Sequence, residues 1–340
     1  KFAGIIAEYE PFHNGHAWQL AQTKALGAER VAVAMSCSLV QRGALPLLPE
    51  AVRTRSALTC GADLVFALPA PCACAGAEAF ARAGVALLAA AGCDGLVFGA
   101  ETPDAALLME AAELLDSGSY RAALKAQLAG GARSFAAARQ AAAAQLASDE
   151  RVAALLDKPN NNLAVEYCRA IHSLAPRMEA YPLPRQGANH GEALHSAHGQ
   201  FASASALRKL WAEGGADAVA PYVPEAVFPF QEAYAAGQYT DFSAAGRCEL
   251  ALLRSACRGK APFADIRGVS EGLEHRLEAA VRTSTTYDEL LDALTTVRYP
   301  RARMRRLAMD AALGFTADSL PALPPYLPPA GREEGCPSFP

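Results

Sequence analysis

Charge is scarce in this chain. Only 19% of its 340 residues are Asp, Glu, Lys or Arg, and the balance is −4 at pH 7. That balance excludes a protein that coats nucleic acid over its whole surface. It leaves room for one local basic patch, because electrostatic steering depends on where charge sits. Long apolar runs are also missing. The richest stretch, Ala81–Cys93, carries Arg82 and falls short of the roughly 18–20 apolar residues of a membrane helix. Paired cysteine motifs are absent: the nine cysteines are odd in number, form no CxxC pair, and place Cys72 and Cys74 one residue apart. They read as small buried hydrophobes in a reducing compartment rather than a zinc or disulfide framework. The opening apolar stretch Phe2–Ala7 is too short for a secretory leader. The expectation is a cytoplasmic protein with no membrane partner and no metal ligated by the chain.

What is present is a rhythm. Apolar runs at Phe2–Ala7, Val31–Ser36, Asp63–Leu68, Gly95–Gly99 and Met178–Leu183 alternate, over the first four, with helix-like segments at Ala17–Leu26, Glu50–Cys60 and Ala75–Ala91. Uninterrupted apolar strands separated by helices predict a parallel sheet covered on both faces. Right-handed crossovers make it an α/β, Rossmann-like doubly wound sheet, with its ligand crevice beyond the carboxyl ends of the strands. Residues 105–156 are Ala-rich with helical spacing, which predicts a helical insertion. Prolines at 221, 224 and 229 mark a composition shift. We expect a nucleotide-binding unit over 1–218, a helical C-terminal domain over 219–320, and a Pro-rich, irregular tail over 321–340.

The sharpest local signal is His13-Asn14-Gly15-His16, placed after the first strand and at the opening of a helix. Free backbone N–H groups and the helix dipole favour an anion there, and Gly15 lets backbone approach a phosphate. Two imidazoles can donate to phosphate oxygens as charge builds on a leaving pyrophosphate. Histidines at this spacing also ligate metals, but no acidic or cysteine cluster completes a set here. A second signal is Ser203-Ala204-Ser205-Ala206-Leu207-Arg208-Lys209, with hydroxyls at a helix start and a cation one turn in. It suits a triphosphate, although a plain Ser N-cap gives the same pattern. The third is Arg298, Arg301, Arg303, Arg305 and Arg306, five guanidinium groups within nine residues. Pro300 fits the first turn of a helix on which Met304, Leu307 and Ala308 face a core. The arginines are then either an RNA-phosphate patch or a solvated helix face.

The first two motifs together resemble the signature pair of the HxGH nucleotidyltransferase superfamily. Ile6–His16, Val40-Gln41-Arg42-Gly43, Arg53-Thr54, Ala62-Asp63-Leu64-Val65, Phe98-Gly99-Ala100-Glu101, Lys158-Pro159-Asn160-Asn161 and Glu271-Gly272-Leu273-Glu274-His275-Arg276 resemble, in order, the bacterial tRNA(Met) cytidine acetate ligases. The resemblance covers about residues 2–310. It implies a ligase that joins acetate to ATP as acetyl-adenylate and acetylates N4 of the wobble cytidine of elongator tRNA(Met). It further implies that Ile6, Ala7, Glu8, Tyr9, Glu10, Pro11, Phe12, His13, Asn14, Gly15, His16, Ala17, Trp18 and Gln19 wrap the ATP. His13 and His16 would be catalytic at the phosphates. Gly99, Asn160, Arg185, Ser203, Ser205 and Arg208 would complete the ATP site, Mg²⁺ would arrive on the ATP phosphates, and the five arginines would meet tRNA.

This sequence departs from the family pattern at Glu10, Cys37, Ser38, Ala44, Ala67 and Ala206, positions near strand ends where substrate is handled. Two other functions compete. One is a cofactor-type nucleotidyltransferase moving AMP or CMP onto a small phosphometabolite. The other is a nucleotide-binding RNA-interaction protein without catalysis.

Overall fold

A computed structural model describes residues 1–185, 194–196, 199–235, 242–259, 262–321 and 329–332. Five parallel strands form the centre: β1 (Phe2–Ala7), β2 (Arg30–Ser36), β3 (Leu64–Leu68), β4 (Gly95–Ala100) and β5 (Glu179–Pro184). They lie in the order β5-β4-β1-β2-β3. β1 pairs with β2 from Phe2↔Arg30 to Ala7↔Met35, and with β4 at Ala3↔Gly95 and Gly4↔Leu96. The chain therefore winds outward from β1 through β2 and β3, then crosses back to place β4 on the other side of β1. Neighbouring loops at the carboxyl ends of β1 and β4 part in opposite directions and leave a crevice.

Each strand buries both faces by alternation. Ile5, Val31, Val33, Met35, Val65 and Val97 share one face with Leu20 of α1 (Asn14–Ala25), Val52 and Ala57 of α2 (Glu50–Thr59) and the later helix residues Leu207 and Trp211. Ile6, Ala32, Ala34, Phe66 and Phe98 share the other face. Past the short α3 (Ala70–Ala73), α4 (Ala77–Ala90) packs closely on that side. Small residues allow the approach: a Cβ on Gly84 would come within 2.6 Å of Ile6, and one on Gly4 within 2.8 Å of Leu88. The Ala-rich stretch folds as α5 (Ala105–Asp116), α6 (Gly118–Ala129), α7 (Phe135–Leu146) and α8 (Glu150–Leu155), followed by α9 (Pro159–Leu174). Ser117 and Ser134 cap α6 and α7, and Asp104 and Asp149 cap α5 and α8.

After a small antiparallel pair, β6 (Leu194–Ser196) and β7 (Gly199–Phe201), come α10 (Ala204–Val219) and α11 (Phe228–Ala235). Composition assigns the chain from 219 onward to the C-terminal unit. In the structure Val219, Val223 and Val227 pack with the sheet, and Arg55 of α2 sits over the Phe230 ring at 3.6 Å. A separate core draws first on Leu250 of α12 (Phe242–Ala256) and continues through α13 (Leu273–Thr283), α14 (Tyr287–Leu294) and α15 (Arg301–Leu313). Prolines mark turns, not which core a turn serves. Within the tail, Pro329–Arg332 forms β8, which pairs antiparallel with β3 and continues the sheet, where an irregular strap is the sequence expectation. An open sheet edge accepts a strand of modest propensity, because backbone groups supply the bonds.

The C-terminal helices are joined to the strand ends. Met309 packs with Leu39 and Cys74, Arg267 pairs with Asp310 and donates to the carbonyl of Pro71, and a Cβ on Gly43 would come within 2.6 Å of the Arg306 backbone. Gly43 has φ +71, so both its backbone geometry and its contact demand glycine.

Candidate active site

A cavity of about 320 Å³ opens at the carboxyl ends of β1 and β4. Ile6, Ala7 and Glu8 continue from β1 into it, and Phe98 and Gly99 come from β4. The wall also includes Tyr9, Glu10, His13, Gly15, His16, Trp18, Gln19, Asn160, Arg185 and Ser203. Pro11, Phe12, Asn14, Ala17, Ser205 and Arg208 do not line it. Four of these have structural tasks that account for their place. Phe12 is fully buried, and Asn14 donates to the carbonyls of Gln200 (3.0 Å) and Pro221 (3.2 Å). Arg208 donates to the Glu10 carbonyl at 2.8 Å and to the Ser205 hydroxyl at 3.0 Å.

The two histidines form a reciprocal cap on α1. His13 is the N-cap, and its Nδ1 accepts from the Gly15 N–H at 3.0 Å. His16 Nδ1 in turn accepts from the His13 N–H at 3.3 Å. The rings stack with centroids 3.7 Å apart. With both Nδ1 atoms accepting, each neutral ring carries its proton on Nε2, so two N–H donors are held without a rotamer search. Burial keeps both rings neutral. It lowers His13 to about 3, assisted by Arg185 and Arg208, and holds His16 well below the ordinary imidazole value, assisted by His13 and Arg185. Gly15 is required because a Cβ there would lie 2.9 Å from the His13 ring. Tyr9, at φ +50, is locked edge-on between Phe12 and His16 with both centroids at 4.9 Å.

Carboxylates and guanidinium groups surround this pair. Glu10 is buried, accepts the Leu47 N–H at 2.8–2.9 Å, and pairs with Arg42 at 2.9 Å. The buried Glu10 carboxylate is therefore matched by a cation from the Gln41-Arg42-Gly43 loop. Burial raises Glu8 above the usual carboxylate range, opposed by the Gln41 N–H. Arg42 is lowered to about 10, by burial first and then by Arg208. Asn160 stands in the first turn of α9, donates to Glu101 at 2.6 Å and accepts from Arg185 at 3.0 Å. Ser203 is the N-cap of α10, its hydroxyl accepting the Ala206 N–H at 3.2 Å. Burial, with Glu50 acting on it, pushes the Cys37 thiol up to about 12, away from the thiolate form.

A family model described as HIGH Nucleotidyl Transferase matches residues 1–328. The chain is 36% identical to the tRNA(Met) cytidine acetate ligase of Syntrophotalea carbinolica over 96% of this chain and 78% of that one. It is 33% identical to the enzyme of the same name from Acetivibrio thermocellus, over 95% and 79%. Among solved structures, Thermotoga maritima TmcAL bound with alpha-thio ATP superposes with a TM-score of 0.84 at 29% identity, covering 94% of this chain and 76% of that one. The chain belongs to the tRNA(Met) cytidine acetate ligase family.

Family membership gives weight to residues that motif reading passed over. Arg53 is fully buried and donates to the carbonyls of Glu8, Ser36, Cys37 and Leu48, which ties the ends of β1 and β2 to the start of α2. Glu101 orients Asn160 and accepts the N–H groups of Asn160 and Asn161. Arg53-Thr54 and Phe98-Gly99-Ala100-Glu101 are both among the family-like segments, so the signal for each was present. The apolar end of the cavity (Phe80, Leu163 and Tyr167) carried no such signal, because core aromatics look alike in sequence. The five arginines are mostly paired within the chain. Arg298 meets Glu271 at 2.7 Å, and Arg301 meets Asp292 and, at 2.7 Å, Asp288. Arg303 sits over the Tyr299 ring at 5.0 Å, and Arg306 donates to the Gln41 carbonyl at 3.4 Å. Pro300 is the N-cap of α15 rather than a residue of its first turn.

Proposed function

We propose that this chain binds ATP across the carboxyl ends of β1 and β4, forms acetyl-adenylate, and acetylates N4 of the wobble cytidine of elongator tRNA(Met). The observation that carries the reading is the stacked pair of neutral imidazoles at the topological crevice, each presenting a fixed Nε2–H. An acetate oxygen attacks the α-phosphorus, and the bond from phosphorus to the bridging oxygen of pyrophosphate breaks. Donors fixed beforehand stabilise the charge that develops on the departing oxygens. The cytidine amine then attacks the acetyl carbonyl carbon, AMP leaves with the electron pair, and the amine loses a proton. No protein nucleophile enters, because the acyl-adenylate already has a good leaving group.

Glu10 already accepts bonds from Leu47 and Arg42, so Mg²⁺ would be held by the ATP phosphates rather than by a carboxylate cage. It would supply charge neutralisation there. Arg185, which lines the cavity, and Arg208, whose charge reaches His13, are suited to the triphosphate. The arginines of α15 are suited to the tRNA backbone.

The test is exchange of labelled pyrophosphate into ATP, followed by mass spectrometry of tRNA nucleosides. Acetate-dependent exchange and N4-acetylcytidine in tRNA(Met) support the reading. Exchange that needs a phosphometabolite instead of acetate overturns it in favour of a cofactor-type transferase.

A further inference from the structure

A second cavity, of about 790 Å³, lies between the loop 39–45 and helices α12, α14 and α15. It is within the ~300–1,000 Å³ range of ligand sites. Its surface is unusual for this chain. Seven large hydrophobic side chains are exposed among the described residues, and three of them line this cleft: Leu45 (40% exposed), Leu252 (49%) and Leu313 (44%). Grouped exposed apolar side chains mark a binding surface, whereas scattered ones do not.

The cleft also holds Arg305, and Arg305 is unlike its neighbours. The other four arginines of the run have partners in ion pairs, hydrogen bonds or a ring contact. Among the described residues no hydrogen bond or ion pair holds the Arg305 guanidinium, and its Nε is buried without a partner. A buried donor left unsatisfied costs free energy. Its charge is felt in two directions. It opposes the charges of Arg42 and Arg208 beside the adenylate cavity, and it acts on Glu249 and Tyr287 inside the cleft. Arg208, Arg42 and Arg305 are thus within electrostatic reach of one another. Arg42 already pairs with Glu10, and Arg208 is held by the Glu10 carbonyl and Ser205, which leaves Arg305 the one guanidinium of the three with no hydrogen bond or ion pair among the described residues.

We propose that this cleft is an RNA site: it takes a single-stranded nucleotide next to the target cytidine, with its base against the leucine rim and its phosphate on Arg305. The proposal rests on the tRNA acetylation reading and extends it by naming where the strand leaves the adenylate cavity. Single-stranded recognition combines flat or apolar surfaces for bases with a cation for the backbone, and this cleft offers Tyr287 and the leucine rim for the first and Arg305 for the second. Glu249, whose carboxyl accepts from the Tyr287 hydroxyl at 2.5 Å, forms a polar floor for a base edge. A bare apolar groove would suit a protein helix, but the unsatisfied guanidinium and its cationic neighbours favour RNA.

The experiment uses the full chain and a tRNA(Met) transcript, with affinity measured over a salt series. Leu252→Glu puts a carboxylate on the exposed rim, outside the adenylate cavity. It is expected to weaken tRNA binding by about tenfold and to leave acetate-dependent pyrophosphate exchange within about twofold. Arg305→Ala is expected to reduce the slope of log Kd against log salt by about one. If the parent chain binds the transcript and both variants bind equally well, the cleft proposal is overturned and the acetylation reading stands. If the parent chain binds no RNA, both fall. A parent chain that dimerises through this face also overturns the proposal; that outcome appears in sedimentation as a mass lowered by Leu252→Glu, with RNA affinity unchanged.

Discussion

The histidine loop and the arginine run are the two most concentrated polar features of the chain, and they are held in opposite ways. Each histidine accepts a backbone N–H at its Nδ1, so the two rings are fixed by the path of the main chain at a helix start. In the 298–306 run, Arg298 and Arg301 are held by other side chains, Glu271, Asp288 and Asp292, on the surface of a helical bundle. A group anchored to backbone keeps its geometry in any sequence that keeps the turn. A group anchored by exposed carboxylates can exchange partners when an anion arrives. The loop therefore keeps its donors fixed, whereas the paired arginines of the helix tolerate rearrangement.

The largest expected effect tests what anchoring to backbone is worth. Arg53 satisfies four carbonyls from a position with no exposed surface. Arg53→Met should lower unfolding free energy by about 3–5 kcal/mol, the cost typical of breaking a buried charged network. Urea unfolding at neutral pH measures it. A loss under about 1 kcal/mol would show that the strand ends hold themselves together.

Next is the histidine pair itself. His16→Ala should lower the adenylation rate by about 10²–10³-fold, as loss of one donor to a developing anion does elsewhere. ATP affinity should change far less, because the donor matters most as leaving-group charge develops. Pre-steady-state adenylation and equilibrium binding separate the two quantities. Equal losses in both would place His16 in ground-state binding only.

Glu249 sharpens the contrast from the bundle side. Burial pushes its carboxyl up to about 7, against a usual value near 4.5, while the Tyr287 hydroxyl and Arg305 pull it down. A raised carboxyl contributes fully below about pH 4.5, and its contribution is lost as pH rises through 7. Glu249→Gln should therefore match the parent at pH 4 and be more stable at pH 8 by roughly 1–3 kcal/mol. Paired urea titrations decide the matter. An equal difference at both pH values would mean that the carboxyl does not titrate in this range.

The sheet was legible in the sequence for a physical reason. Strands buried on both faces must be apolar throughout, and Phe2–Ala7 and Val31–Ser36 announce themselves in that way. His13-Asn14-Gly15-His16 was legible because its geometry is local, set within one turn. Asn14 shows the limit of such reading. It sits inside the motif, yet its amide ties the loop to Gln200 and Pro221, nearly 200 residues away. Arg53 reaches carbonyls up to 45 residues away and Glu101 amides 59 and 60 residues away, so their roles also depended on the fold. Pro329–Arg332 was hidden for a related reason, since edge pairing is decided by the strand it meets and not by its own residues.

The smallest expected effect separates Arg301 from Arg305, which helical spacing places on one side of α15. Arg301 is already engaged by Asp288 and Asp292, so tRNA must displace two carboxylates to use it. The gain from a new phosphate contact is largely offset by the pairs given up, and exposed pairs of this kind are individually weak. Arg301→Ala should thus shift tRNA affinity by no more than about twofold, with a salt slope close to that of the parent. Arg305→Ala, with no pair to give up, should show the larger change in both. The measurement is tRNA affinity for the two single variants across the same salt series. If Arg301→Ala has the greater effect, the aspartates serve to aim Arg301 at RNA. The paired arginines, rather than the unpaired one, would then be the anchor.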